Sequence, residues 1–211
     1  MSLLVLAAVP LGMWWVRSQA SPTIATVGDR GAATRPIASG SQASADPDAY
    51  RVRQGDDGRA IPIPVRVKIP RLAVDAVVLP VGLDAANVVE VPSDIRVVGW
   101  YKLGVPPGAY RGSAVLVGHR DGRAQGRGVF YDLGLLDVGD RIAVSGESNE
   151  SLNFRVVARE SIDKKRVPYE ELFAVDGPPR LTLISCGGFY DVQNGGYQEN
   201  VVVTAVSDYR R

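Results

Sequence analysis

Along the C-terminal two-thirds of the chain, apolar and polar residues alternate in short runs. Val65, Val67 and Ile69 alternate with Arg66 and Lys68 and stop at Pro70, the period-two pattern of a half-buried strand. Runs rich in β-branched residues follow at 74–81, 88–91, 113–118, 141–144, 154–160, 181–185 and 201–206. Between them, 129–133 and 169–173 are each long enough for only one or two helical turns. Eight short strands with frequent Pro and Gly turns predict an all-β fold, a closed eight-stranded β-barrel with one or two short helices over residues 61–211.

The first 60 residues have a different texture. Residues 3–16 form an uncharged apolar run closed by Arg17, with Trp14 and Trp15 beside the charge. That is shorter than the roughly 20 residues a spanning helix needs. It suits either a retained anchor with an aromatic interfacial belt or the apolar part of a signal segment. Residues 1–17 are therefore expected to be a membrane anchor or signal segment, with the rest of the chain on the extracellular face. Residues 18–60 are rich in Ala, Ser, Gly, Pro, Asp and Arg with no sustained period. Such a stretch cannot bury enough apolar surface to offset its ordering entropy, and it is expected to be a disordered tether.

Composition narrows the chemistry. With 24 basic and 23 acidic residues the chain lacks the charge bias of a nucleic-acid binder. A single cysteine excludes an intramolecular disulfide, and with one histidine there is no Cys/His cluster to hold zinc. No metal or cofactor is expected. An unpaired thiol in an exported chain is open to oxidation, so its retention needs a reason.

That cysteine, Cys186, closes the apolar run Leu181-Thr182-Leu183-Ile184-Ser185 and precedes Gly187-Gly188, which places it at a strand end where the backbone turns. The one histidine, His119, closes Ser113-Ala114-Val115-Leu116-Val117-Gly118. One thiol and one imidazole, each ending a strand, are the minimum equipment for thiolate catalysis. A lone apolar-flanked cysteine is by itself more often a small buried hydrophobe.

The order of the motifs tips that balance. The run Leu181 to Cys186 is similar to the TLxTC motif of the sortases, with Ser185 in place of the usual Thr. Gly118-His119 with Asp121 and Gly122 resembles the family's histidine motif. Val91-Pro92, Val98-Gly99-Trp100-Tyr101, Pro107-Gly108, Gly128-Val129-Phe130, Cys186-Gly187-Gly188 and Tyr197-Gln198-Glu199-Asn200-Val201-Val202-Val203 resemble the actinobacterial branch called class F. The resemblance covers 61–208. It implies a cysteine transpeptidase in which Cys186 attacks the Thr–Gly bond of an LPxTG-like sorting signal, forms a thioacyl enzyme and yields to a cell-wall amine. His119 would donate the proton to the leaving amine, and Thr182, Ser185 and Gln198 would lie against substrate. Its partners would be exported proteins with a C-terminal sorting signal, a cell-wall precursor amine and the membrane.

One departure stands out. Sortases carry an arginine on the strand after the cysteine, and counting back from Val201-Val202-Val203 that place holds Asn200. An amide still donates two hydrogen bonds, as side-chain amides do in other oxyanion holes, but brings no charge. Arg120 and Arg96 are remote substitutes without local support. Two other functions compete. An L,D-transpeptidase-like enzyme also uses Cys and His, but its cysteine follows a Ser-x-Gly element. A wall-binding module would have kept the barrel and lost the catalysis.

Overall fold

The computed structural model describes residues 25–28, 63–148, 150–193 and 195–208. The expected anchor at 1–17 lies outside these residues, and so does the expected tether apart from 25–28. Eleven strands are present among the described residues: β1 (Val27–Gly28), β2 (Pro64–Ile69), β3 (Val74–Val81), β4 (Val98–Tyr101), β5 (Ser113–Val117), β6 (Asp121–Gly122), β7 (Gly126–Arg127), β8 (Arg141–Gly146), β9 (Ser151–Asp163), β10 (Arg180–Asp191) and β11 (Gly196–Ser207). One short helix, α1 (Tyr169–Leu172), precedes β10.

The strand order β9-β11-β10-β5-β4-β3-β2-β8 closes through a β8–β9 pairing into the expected eight-stranded barrel. Closure removes the free edges that an open sheet would expose. Most neighbours are antiparallel, but β5 lies parallel to β10 and β3 parallel to β4. Alternation sorts each strand into two rows. The inner rows of β10 (Leu181, Leu183), β5 (Ala114, Leu116) and β11 (Val201, Val203, Ala205) fill the barrel with Trp100, Phe130 and Ile142. Trp100 and Phe130 are each 1% exposed, so both belong to core packing.

Three features depart from the sequence reading. Residues 88–91 are not a strand; they make one isolated bridge, Val89 to Leu83. Asp84 accepts the backbone N–H groups of Ala86 and Val88, and Asn87 takes a positive φ of 61°. This local turn wins over the β propensity of the valines, and the eighth strand is β4 instead. Second, β10 does not stop at Cys186 but runs on to Asp191. Gly188, with φ of 73°, lies in an irregularity between Gly187 and Tyr190, and a residue at such a φ favours a bulge over a strand end. Third, within the expected tether, Val27 and Gly28 pair with Arg159 and Ala158 of β9. Strand partners are long-range information that local composition does not carry.

Candidate active site

The register of three adjacent strands assembles the site. Along the parallel β5–β10 pair, Val117 stands beside Ile184, and the ladder continues through the bond from Gly118 N–H to the Ile184 carbonyl, 3.1 Å. Two residues on, His119 is level with Cys186. On the other side of β10, Cys186 pairs with Asn200 of β11. His119, Cys186 and Asn200 therefore lie side by side across one rim. All three continue the outer rows, since Val115 and Val117, Thr182 and Ile184, and Val202 and Thr204 face away from the core cluster. Each of the three is partly exposed.

The imidazole is oriented by the backbone. His119 Nε2 lies 2.9 Å from the carbonyl of Pro92. A carbonyl only accepts, so Nε2 carries its hydrogen and Nδ1 is left for proton exchange. The peptide around it is pinned as well, with Phe130 N–H donating to the His119 carbonyl at 2.9 Å and Gly128 N–H to that of Arg120 at 2.8 Å.

Beneath the rim, on the same outer face, is a second apolar cluster. Val81, Val115 and Val117 are buried there and packed against Val89, Tyr101, Phe173 and Ile184. Tyr101 and Phe173 meet edge to face at 5.3 Å, a favourable aromatic geometry, and burial pushes the Tyr101 phenol up from its ordinary pKa. This apolar face rises along β5 and β10 directly to His119 and Cys186, flanked by the segments 83–91 and 167–175.

The remaining predicted residues fall in different places. Gln198 shares the outer row of β11 with Asn200, and its amide donates to the Gly196 carbonyl at 2.6 Å. Thr182 is 0% exposed and its hydroxyl is bonded to Ser113 at 2.8 Å, so it ties β10 to β5 and presents no surface to a substrate. Ser185 points to the inner side, 3% exposed, and its Oγ has no hydrogen-bond partner. Both side chains are sealed within the packing around the cysteine strand, so they are not offered to a substrate as the resemblance implied. An unsatisfied buried hydroxyl costs roughly 1–3 kcal/mol. Ser185→Ala is therefore expected to raise the melting temperature by about 2–4 °C for each kcal/mol recovered without loss of turnover, measurable by calorimetry.

Of the two arginines considered as substitutes, Arg96 is spent on Asp94, with two bonds of 3.0 and 2.9 Å. That pair holds the Asp94 carboxyl down at about 2. Arg120 is better placed. Its guanidinium lies between the rings of Tyr131 and Tyr197, 5.4 and 5.1 Å from their centroids. Tyr197 also donates to Asp121 and meets Tyr190 at 4.9 Å. Burial, then Asp121, raises the Tyr197 phenol above its usual range. This clamp fastens the backbone just after His119 to β11 just before Asn200. The pairing escaped the sequence reading because Tyr197 comes 77 positions after Arg120, although Arg120, Asp121 and Tyr197 were each singled out there. The run Lys164–Arg166 is a solvated turn whose Lys165 N–H is capped by Asp163.

Among the described residues no cluster of His, Cys, Asp and Glu is able to hold a metal ion, and no helix is long and apolar enough to cross a membrane.

Comparison with known proteins agrees with this fold. A family model described as the sortase domain matches residues 67–208. Sortase C-1 from Actinomyces oris superposes with a TM-score of 0.55 at 22% identity, covering 78% of this chain and 84% of the other. Sortase C1 from Streptococcus agalactiae gives 0.54 at 21% identity, covering 74% and 71%. Sortase A from Corynebacterium diphtheriae gives 0.53 at 20% identity, covering 69% and 60%, so this chain spans about three-fifths of that protein's length. At these identities the likeness is one of fold. No curated protein matches the sequence.

Proposed function

Because the chain belongs to the sortase family, we propose that it is a cysteine transpeptidase that cuts an LPxTG-like sorting signal and joins the exported protein to a cell-wall amine. The observation that carries this reading is the row His119–Cys186–Asn200 at the head of an apolar face on the outside of the barrel. An extended peptide with Leu and Pro side chains would bury them against the partly exposed Val89, Tyr101, Phe173 and Ile184 of this face, leaving its Thr–Gly bond at the rim. The sulfur, as thiolate, attacks the Thr carbonyl carbon. The carbon–nitrogen bond breaks, and the Gly amine leaves with a proton from His119. The incoming amine then attacks the thioester, gives up a proton to the imidazole and expels the thiolate. The amide of Asn200 faces the carbonyl oxygen as negative charge develops on it. The motif pattern favours the class F branch, and the apolar run 3–16 would hold the enzyme on the outer face of the cell membrane.

The competing reading is a non-catalytic wall-binding module, suggested by the lack of an arginine on β11. A sorting-signal peptide carrying an electrophile at the scissile position separates the two, because Cys186 is the only thiol in the chain. Mass spectrometry is expected to find one adduct, on Cys186, formed faster than with a scrambled peptide. Binding without an adduct would support the module instead.

A further inference from the structure

Along part of its length, strand β9 is left without a barrel partner on one edge. Strand β8 pairs with it from Ser151 to Arg155 and then diverges. Just beyond, β9 carries an extra residue against β11, since Ala205 pairs with Val156 but Thr204 with Ala158. At this bulge β1 docks, with Val27 against Arg159 and Gly28 against Ala158.

Two side-chain features show that the seat fits this segment. Arg159 is 8% exposed, an unusual depth for a guanidinium. One of its nitrogens donates to the Gly134 carbonyl and the other to the Ala25 carbonyl, the latter at 3.0 Å. Asp137, 4.0 Å away and 65% exposed, is too solvated to neutralise it alone. The docked segment thus supplies an acceptor to a buried cation. Gly28 adopts φ of 81°, and a Cβ there would stand 2.0 Å from the Val157 carbonyl oxygen and 2.8 Å from a Val138 methyl. Only glycine lets the chain come this close.

We infer that residues 25–28 are a latch that fastens the N-terminal segment to the β9 edge, so that residues 18–24, rather than 18–60, separate segment 1–17 from the barrel. A flexible leash of 43 residues would span roughly 36 Å root-mean-square, and one of seven residues roughly 15 Å. The latch therefore limits how far from the membrane the Cys186 rim operates. This consequence for reach rests on the proposed membrane anchoring and transpeptidase reading; the latch itself does not.

The test compares the full chain with Gly28→Val, which blocks the seat, and with Val27→Pro, which cannot pair fully; neither residue belongs to the barrel core. Residue-resolved amide exchange over 25–28 and 156–160 is expected to be at least tenfold faster in both variants, with the barrel still melting cooperatively and only a few degrees lower. Unchanged exchange in both variants would overturn the latch. In phosphatidylethanolamine–phosphatidylglycerol vesicles, labelling of Cys186 by a lipid-anchored electrophilic sorting peptide should change several-fold relative to a free peptide. An unchanged ratio alongside faster exchange would overturn the control of reach. Failure of the free peptide to label the wild-type chain would count against the transpeptidase reading, while the exchange result still decides the latch.

Discussion

Cys186→Ala is expected to abolish acyl transfer completely, and His119→Gln to slow it by about 10²–10⁴-fold, the usual worth of a positioned general acid. The glutamine is the informative choice. Its amide still donates a hydrogen bond, so it is able to keep the contact with the Pro92 carbonyl that now orients Nε2. It has no group to replace Nδ1 as proton donor to the leaving amine. A loss confined to the proton-transfer role should therefore appear in the turnover number, with little change in KM. Chromatographic assay of a sorting peptide with an excess of a small amine acceptor reads both constants. A glutamine variant within threefold of wild type would mean that the imidazole is structural. Intact melting of both variants is the control, since neither residue fills the barrel.

Asn200→Ala is expected to lower turnover by about 10²–10³-fold, the cost of removing one donor from an oxyanion hole. The assignment follows from pairing, because Asn200 is the β11 residue directly opposite Cys186 and therefore presents its side chain on the same face. Near-wild-type turnover would reject this role. Asn200→Asp is a stricter version of the same experiment. It preserves shape while replacing two donors by a carboxylate, and should be at least as damaging. With no charge at position 200, Arg120 is the guanidinium fixed next to His119. Its stacking between Tyr131 and Tyr197 makes it a brace between the histidine loop and β11 rather than a second oxyanion donor.

The parts of this molecule that were legible in the sequence are those encoded locally. Alternation in β2 and β3, and the apolar runs of β5, β10 and β11, report burial of one or both faces, so the barrel could be read from them. The thiol and the imidazole stood out because each is unique. What could not be read is whatever depends on which strands are neighbours. Parallel pairing of β5 with β10 is what brings residues 119 and 186 level, and no spacing rule conveys it. The same limit hid the roles of Thr182 and Ser185. A motif identifies positions without saying which way their side chains point, and here both turn out to be sealed within the sheet. Residues 88–91 misled for the opposite reason, since strong β propensity was overruled by a turn that the carboxylate of Asp84 organises.

The alternation of β10 also separates two quantities that enzymes usually trade against each other. Leu181 and Leu183 point into the barrel, while Ile184 and Cys186 on the same strand point out to the apolar face. Interior substitutions act on the folding equilibrium, and substitutions on the outer row act on what the thiol meets. A library confined to the partly exposed Val89, Tyr101, Phe173 and Ile184 would thus explore recognition with little loss of thermal tolerance. Substitutions around Leu183 and Ile142 would act on the stability of the scaffold instead. One strand, read every second residue, is two independent design variables.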